Sequence, residues 1–600
     1  MADFKTCLIK DSKIGDITDK LEFAVVSGAS NNTYQQFSAV TSSASSIVYN
    51  VQIPSESIVI SREILQQSTL TWQLNIPVGQ PTANGDLVFD YGFTDSVQSF
   101  PLSSLYTTMT STINNTNVSI NLQDVLPSLV RMNNSRELYR YQSMTAVLPD
   151  QAYLNYADGF GTNNNPLGSY NTSSYDVDLN PRGSFPLRQL QVSRRLNGVD
   201  DGSNSCVMPV GGQATYSWVI TMSAVFTEPL FLSPFIFGEP EFNCGGLAGI
   251  NTMNFVFNVD STCKRFFSTA SVGSTVTLGG LNGTPAFQNT RLLLQFLSTQ
   301  PSDMIPSRIV TPYHDFPRYL SLSNNSTPIP AFVNARSEVT GLWNSPSTST
   351  ITSQNIQLNQ LPDYFIITCR KPMSSQTIQD STSFLTINSI SINLNNQSGL
   401  LSSSTPVDLW KISLENGSTQ SWTEFSGTAL SANVNPASAG GGKGYLIPTT
   451  GSILILSPPK DLSLPDYLAS SSIGQYNFQF SINVSNYYDD PVTPELCIIT
   501  VNSGVFVSQM GSANIYTGVL TKQMVLDAKS QPEVPQISSA EYKRMVGGKM
   551  NNRVASAVGM MTRALGDARK RARAMVGAGD SGGVMMLGRE REKHRLARHF

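Results

Sequence analysis

The chain has 600 residues, 40% of them hydrophobic and only 14% charged, against roughly 25% charged in an average soluble domain; Ser, Thr and Asn fill the gap, which suits broad assembly interfaces better than a solitary protein. The net charge of −3 hides a split, with 14 Lys and Arg against 5 Asp and Glu from Glu541 to Phe600 and 25 against 37 before it, so the last 60 residues are a different kind of polypeptide. Three histidines (His314, His594 and His599) and six cysteines without a CxxC pair (Cys7, Cys206, Cys244, Cys263, Cys369 and Cys497) argue against a His-dependent triad, a metal framework or a redox centre, and for reduced thiols.

Residues 1–20, MADFKTCLIKDSKIGDITDK, mix charges throughout and read as an N-terminal arm with no signal-peptide run; no apolar stretch of membrane-spanning length follows. From there to about residue 527 the dominant period is two, the signature of strands with one buried face. In SIVYNVQI the apolar positions are Ile47, Tyr49, Val51 and Ile53; in TLTWQLNI they are Leu70, Trp72, Leu74 and Ile76; SWVITMSAVF from Trp218 and MNFVFNV from Met253 continue the pattern. Between them lie Gly, Asn, Pro and Ser clusters such as TNNNPLGSYNTSS, which read as long surface loops. The sequons at Asn117, Asn171 and Asn483 reflect this Asn- and Ser-rich composition rather than glycosylation, since no entry signal accompanies them.

The prolines of TPYHDFPRYLSLSNNSTPIP predict a break in strand structure, an extended connector over 311–344 between a first sandwich (21–310) and a second (345–527). In the second, FLTINSISINL changes phase. Leu385 and Ile387 are odd, Ile390, Ile392 and Leu394 even, which requires a β-bulge residue near Asn388. QYNFQFSINV puts Tyr476, Phe478, Phe480, Ile482 and Val484 on one face. After SQPEVPQISSAEYKR the period becomes helical, and residues 528–600 form a basic tail.

No catalytic set emerges. GGGKG (Gly440 to Gly444) lacks the spacing and the hydroxyl of a phosphate loop; Asp200 and Asp489 read as solvated turn residues, although a glycosidase-type carboxylate pair is open by residue type; His314 reads as a structural residue of the connector, with pH sensing as the sharper alternative. The expectation is a structural protein, not an enzyme, with no catalytic residues, no cofactor and no metal.

Five segments resemble a known family: FSAVTSSASSIVYNVQIPSESIVISREIL, TEPLFLSPF, LPDYFIITCRKP, TGSILILSPPKDLSLPDYL and VNSGVFVSQMGSANIYTGVLTKQMVLDAKS. They are similar to hexon-like major capsid proteins of Polinton-like viruses, adintoviruses and virophages. The resemblance spans about residues 30 to 530 and implies an all-β chain of two consecutive eight-stranded jelly-roll sandwiches, a double jelly roll. It further implies a homotrimer forming a pseudohexagonal capsomer. Such capsomers would tile an icosahedral shell around double-stranded DNA, contacting neighbouring capsomers, penton and minor capsid proteins, assembled inside the host cell. Two other readings share the β pattern: a minor vertex or spike protein of the same virus, and a carbohydrate-binding adhesin, which should carry a secretion signal and disulfides.

In the tail, NNRVASAVGMMTRALGDARKRARAM reads as a helix with one apolar stripe (Val554, Val558, Met561, Leu565, Ala568) and a surface crowded by Arg563, Arg569, Lys570, Arg571 and Arg573. It fits a DNA-contacting arm, a binder of an internal membrane, a helix docking on another capsid protein, or a solvated tail. Two strings, MVGGK with Met545, Gly547, Gly548 and Lys549, and MVGAG with Met575, Gly577, Ala578 and Gly579, resemble cleavage patterns of adenovirus-type maturation cysteine proteases. An apolar anchor fills a pocket while glycine lets the backbone lie deep in a narrow cleft. Cuts are expected after Gly548 and Ala578, removing the tail during maturation.

Overall fold

The computed structural model describes residues 32–56, 58–77, 95–98, 100–132, 187–196, 199–200, 216–235, 246–269, 273–298, 308–323, 327–333, 344–378, 384–431, 445–464, 468–488, 490–509 and 511–518. Strands of four residues or more are numbered in chain order. In the first half these are β1 (Asn32–Ser38), β2 (Ser46–Gln52), β3 (Ile58–Ser61), β4 (Leu65–Pro77), β5 (Tyr106–Ile113), β6 (Thr116–Ile120), β7 (Gln189–Leu196), β8 (Tyr216–Pro229), β9 (Thr252–Val259), β10 (Thr275–Leu278) and β11 (Phe287–Ser298). The second half holds β12 (Arg308–Asp315), β13 (Arg318–Leu322), β14 (Ser347–Thr352), β15 (Ile356–Gln360), β16 (Tyr364–Arg370), β17 (Thr386–Leu394), β18 (Gln397–Leu400), β19 (Thr428–Ser431), β20 (Tyr445–Pro448), β21 (Ile453–Leu456), β22 (Ile473–Asn486), β23 (Glu495–Gln509) and β24 (Ser512–Thr517).

They build four large antiparallel sheets and a two-stranded one, β19-β20. Sheet A runs β7-β8-β4-β11-β3, with β1 also on β11 and β10 on β4; sheet B runs β2-β9-β5-β6. Sheet C runs β12-β23-β16-β21, with β13 and β24 also on β23; sheet D runs β14-β22-β17-β18, with β15 also on β22. A faces B, and C faces D. The period-two residues are what the facing sheets bury: Ile47, Tyr49 and Val51 of β2, Leu70, Trp72 and Leu74 of β4, Trp218, Ile220 and Met222 of β8, and Met253, Phe255 and Phe257 of β9 share one core. At its centre Gln66 Nε2 donates to the hydroxyls of Tyr49 at 2.9 Å and Tyr106 at 2.7 Å, so this buried polar group is satisfied. The five alternating residues of β22 sit with Ile387, Ile390, Ile392 and Leu394 of β17 in the core between C and D.

The phase change has the expected cause. Register between β17 and β22 slips between Ile387 and Ser389. The extra residue is held by its side chain, Asn388 Nδ2 donating to Asn483 Oδ1 at 2.9 Å and to Ser485 Oγ at 2.7 Å across the neighbouring strand. Asn483 is thus engaged in the sheet, and Asn117 is exposed on β6.

The expected strand-free connector is corrected by the structure. Residues 308–315 and 318–322 are β12 and β13, both paired with β23. Pro312 is tolerated because β12 is an edge strand, hydrogen-bonded on one side only. His314 accordingly lies in a strand and is buried, its backbone N–H donating to Ser233 Oγ at 3.0 Å.

Five α-helices interrupt the described β structure: α1 (Pro101–Leu105), α2 (Leu122–Met132), α3 (Pro406–Glu415), α4 (Trp422–Phe425) and α5 (Pro458–Asp461). None was expected in the body of the chain. α3 begins with a capping box, Thr405 and Asp408 exchanging side-chain and backbone bonds, and has Pro406 in its first turn, signals that the β pattern around them obscured.

Candidate functional site: the seam between the two sandwiches

Most strands here bury one face, but three strands of sheet C bury both. Along β16, Phe365, Ile367 and Cys369 enter the C–D core while Ile366 enters the core of the first sandwich; along β21, Leu454 and Leu456 go one way and Ile453 and Ile455 the other; along β23, Leu496 and Ile498 oppose Cys497, Ile499 and Val501. This is why YFIITC, ILIL and LCIITV read as continuous apolar runs: a strand between two packed layers has no wet face to alternate with. Sheet C is the wall shared by both sandwiches, and the apolar core of the first extends across it.

One ionic cluster crosses the seam. Asp124, in the first turn of α2 and 5% exposed, accepts from Arg370 of β16 at one carboxylate oxygen and from Arg318 of β13 at the other. Arg370, 2% exposed, also reaches Glu495 of β23, Nε to Oε2 at 3.2 Å. Arg370 and Glu495 stand opposite each other across the β16–β23 pair, so the sheet register supplies that contact and α2 supplies the other. Burying guanidinium and carboxylate together holds only because each is paired. Hydrogen bonds extend the seam to either side: Lys264 Nζ donates to the carbonyls of Met373 at 2.8 Å and Ser374 at 3.2 Å, Ser508 Oγ to Ala248 O at 2.7 Å, Ala513 N to Asn115 Oδ1 at 2.8 Å, and Gly511 N to Gly249 O at 3.0 Å.

TEPLFLSPF gains a physical role close by. Glu228, fully buried, accepts from Leu102 N at 2.8 Å, Ser103 N at 2.9 Å and Ser103 Oγ at 2.8 Å at the start of α1. Burial outweighs these donors and pushes its carboxyl up to about 7 from an ordinary 4.5.

The tail residues that the sequence singled out, Met545, Gly547, Gly548, Lys549, Met575, Gly577, Ala578 and Gly579 with Arg563, Arg569, Lys570, Arg571 and Arg573, lie outside the described residues, as do Cys7, Cys206, Cys244, Asn171, Asp489, His594, His599 and the GGGKG run. Cys263, Cys369 and Cys497 are free and buried. Among the described residues no three His, Cys, Asp or Glu side chains could together hold a metal ion, and no helix is long and apolar enough to cross a membrane. Sequence reasoning missed Asp124, Glu228, Arg318, Arg370 and Glu495. The available signal was a charge ending each of two continuous apolar runs, Arg370 after FIITC and Glu495 before LCIITV.

Two family descriptions match the chain in tandem, "Sputnik virophage major capsid protein 1st domain" over residues 2–297 and "Major capsid protein V20 C-terminal domain" over residues 316–504. Capsid protein V20 of Sputnik virophage is 27% identical over 547 residues, which span 89% of this chain and 82% of that protein. The cryo-EM structure of the Sputnik virophage aligns with a TM-score of 0.64 at 23% identity, covering 90% of this chain and 98% of the other. The crystal structure of the mavirus major capsid protein aligns at 0.55 with 13% identity, covering 88% and 98%. At these identities the structural likeness speaks for the fold.

Proposed function

This chain belongs to the double jelly-roll major capsid proteins of the virophage group, and from that premise we propose that three copies form a pseudohexagonal capsomer that tiles an icosahedral shell around double-stranded DNA. It is a structural protein and not an enzyme. The observation that supports the trimer is the seam: two sandwiches share sheet C as a common wall, so one chain presents two similar lobes side by side, and three chains supply six. The first roll falls within residues 21–307 and the second within 308–527, because β12 and β13 pair with β23 of sheet C, with 1–20 as an arm. Low charge density lowers the desolvation cost of repeated contacts with neighbouring capsomers and with penton and minor capsid proteins.

Light scattering on the purified chain tests the trimer: about 196 kDa is expected, three times the 65.2 kDa of one chain, and a strict monomer would overturn it. The tail, residues 528–600, is an assembly element that contacts packaged DNA or an internal membrane through its arginines and is then cut after Gly548 and Ala578 by an adenovirus-type cysteine protease. The support is the +9 charge of residues 541–600 and the two cleavage-like strings. Intact mass of the protein from mature particles decides this, and a chain still ending at Phe600 would refute it. Assembly takes place inside the host cell.

A further inference from the structure

The outer face of sheet A carries a groove of about 580 Å³ lined by Gln67, Thr69, Leu187, Arg188, Val225, Asn289 and Arg291, a volume in the small-molecule range of about 300–1,000 Å³. A bulge makes it. Register between β11 and β4 slips between Gln288 and Arg291, with Asn289 in the left-handed region at φ 51°, and Thr290 turns inward to Ser68 at 2.8 Å. Asn289 and Arg291 are thereby left on the groove side.

Arg291 is held in place by neutral groups only. Gln67 Oε1 accepts from its Nε at 2.9 Å and its Nη2 at 2.5 Å, and Gln36 Oε1 accepts from Nη1 at 2.7 Å. Two of the five N–H donors of a guanidinium are left without an acceptor among the described residues, and the charge is oriented but not neutralised. Arg188 is exposed, and its backbone N–H is fixed to Ser223 O at 2.7 Å; its guanidinium has no partner among the described residues. The strands β1, β3, β4, β7, β8, β10 and β11 contain one carboxylate, Glu228, which points into the core; the two-residue strand Val199–Asp200 at the edge of the sheet adds Asp200, which stands opposite Arg195 near the end of β7, far from Arg188.

We propose that this groove binds an acidic sugar of the uronate or sialate class. The two guanidiniums receive the carboxylate, as planar forks suited to charge-assisted pairs. The second N–H of Gln67 Nε2, whose first goes to Thr227 Oγ1 at 3.1 Å, the amide of Asn289 and the hydroxyl of Thr69 face the sugar hydroxyls, and Leu187 and Val225 offer apolar surface to the C–H face of the ring.

The test is calorimetric titration of the full chain with glucuronate, with N-acetylneuraminate and with glucose, the neutral counterpart of glucuronate. Both acids should bind, more weakly as salt rises, and glucose at least about tenfold more weakly, the scale of one lost charge-assisted contact. Arg291→Gln should abolish binding. Arg188→Gln, at an exposed side chain with no bond to lose among the described residues, should weaken it at least about tenfold with the light-scattering mass unchanged. Acids that bind no better than glucose, or an Arg188→Gln protein that binds as before, overturn the proposal. So does inorganic phosphate that competes as well as the sugars do, since the groove would then recognise any anion. Loss of assembly mass in Arg188→Gln without loss of sugar binding would make the groove a contact between copies and equally overturn it.

Discussion

Glu228 titrates where few carboxylates do, because the helix start it caps is sealed from water. In the unfolded chain it has an ordinary value of 4.5, whereas in the fold it is raised to about 7, so folding takes up a proton between those values. Its contribution is therefore full below about pH 4.5 and is lost as pH rises through about 7. The shift corresponds to about 3 kcal/mol across that window. Glu228→Gln keeps the shape and removes the titration. Denaturant unfolding of the variant should lack that much of the stability loss seen between about pH 5 and pH 8, and an unchanged pH slope would show that Glu228 is not the group responsible. The residue was visible in the sequence as part of TEPLFLSPF. Its partners were not, since Leu102 and Ser103 lie 126 and 125 residues away in the chain.

Among the elements, β17 shows how far local pattern reaches. Its phase change stood in the sequence because side chains of a strand alternate strictly, and one extra residue shifts the parity of everything after it; the bulge absorbs that residue and keeps both halves of the strand facing the C–D core. Deleting Asn388 should therefore remove the bulge and leave Leu385, Ile387, Ile390, Ile392 and Leu394 in strict alternation in the core, with Ile387 and those after it opposite the same partners on β22. Soluble deletion protein is expected, with a melting temperature close to that of Asn388→Ala, which loses only the bonds to Asn483 and Ser485, at about 1 kcal/mol each; a deletion protein recovered only insoluble would sink this account. β12 marks the opposite case. Pro312 suggested a break, but whether proline ends a strand depends on which side of it a neighbour lies, and that is set by the sheet.

For the whole molecule, the seam makes the two sandwiches one cooperative body. Asp124→Ala would leave Arg370 buried without one of its two carboxylates and strip Arg318 of its ion-pair partner among the described residues, a change expected to cost about 3–5 kcal/mol. Scanning calorimetry should give one transition for the native chain and a lowered or split one for Asp124→Ala. Two well-separated transitions in the native chain would show the sandwiches to be independent. The sequence alone determined the period-two strands, the bulge, the two-sandwich class and the charge division between body and tail, because each is a property of neighbouring residues. Its continuous apolar runs YFIITC, ILIL and LCIITV carried the mark of strands buried on both faces, which the period-two reading passed over. What lay on each face, and why Asp124 needs arginines 194 and 246 positions away, was decided only by the tertiary structure: the energy of a buried charge depends on groups brought within a few ångströms by sheet packing, and no local pattern encodes that approach.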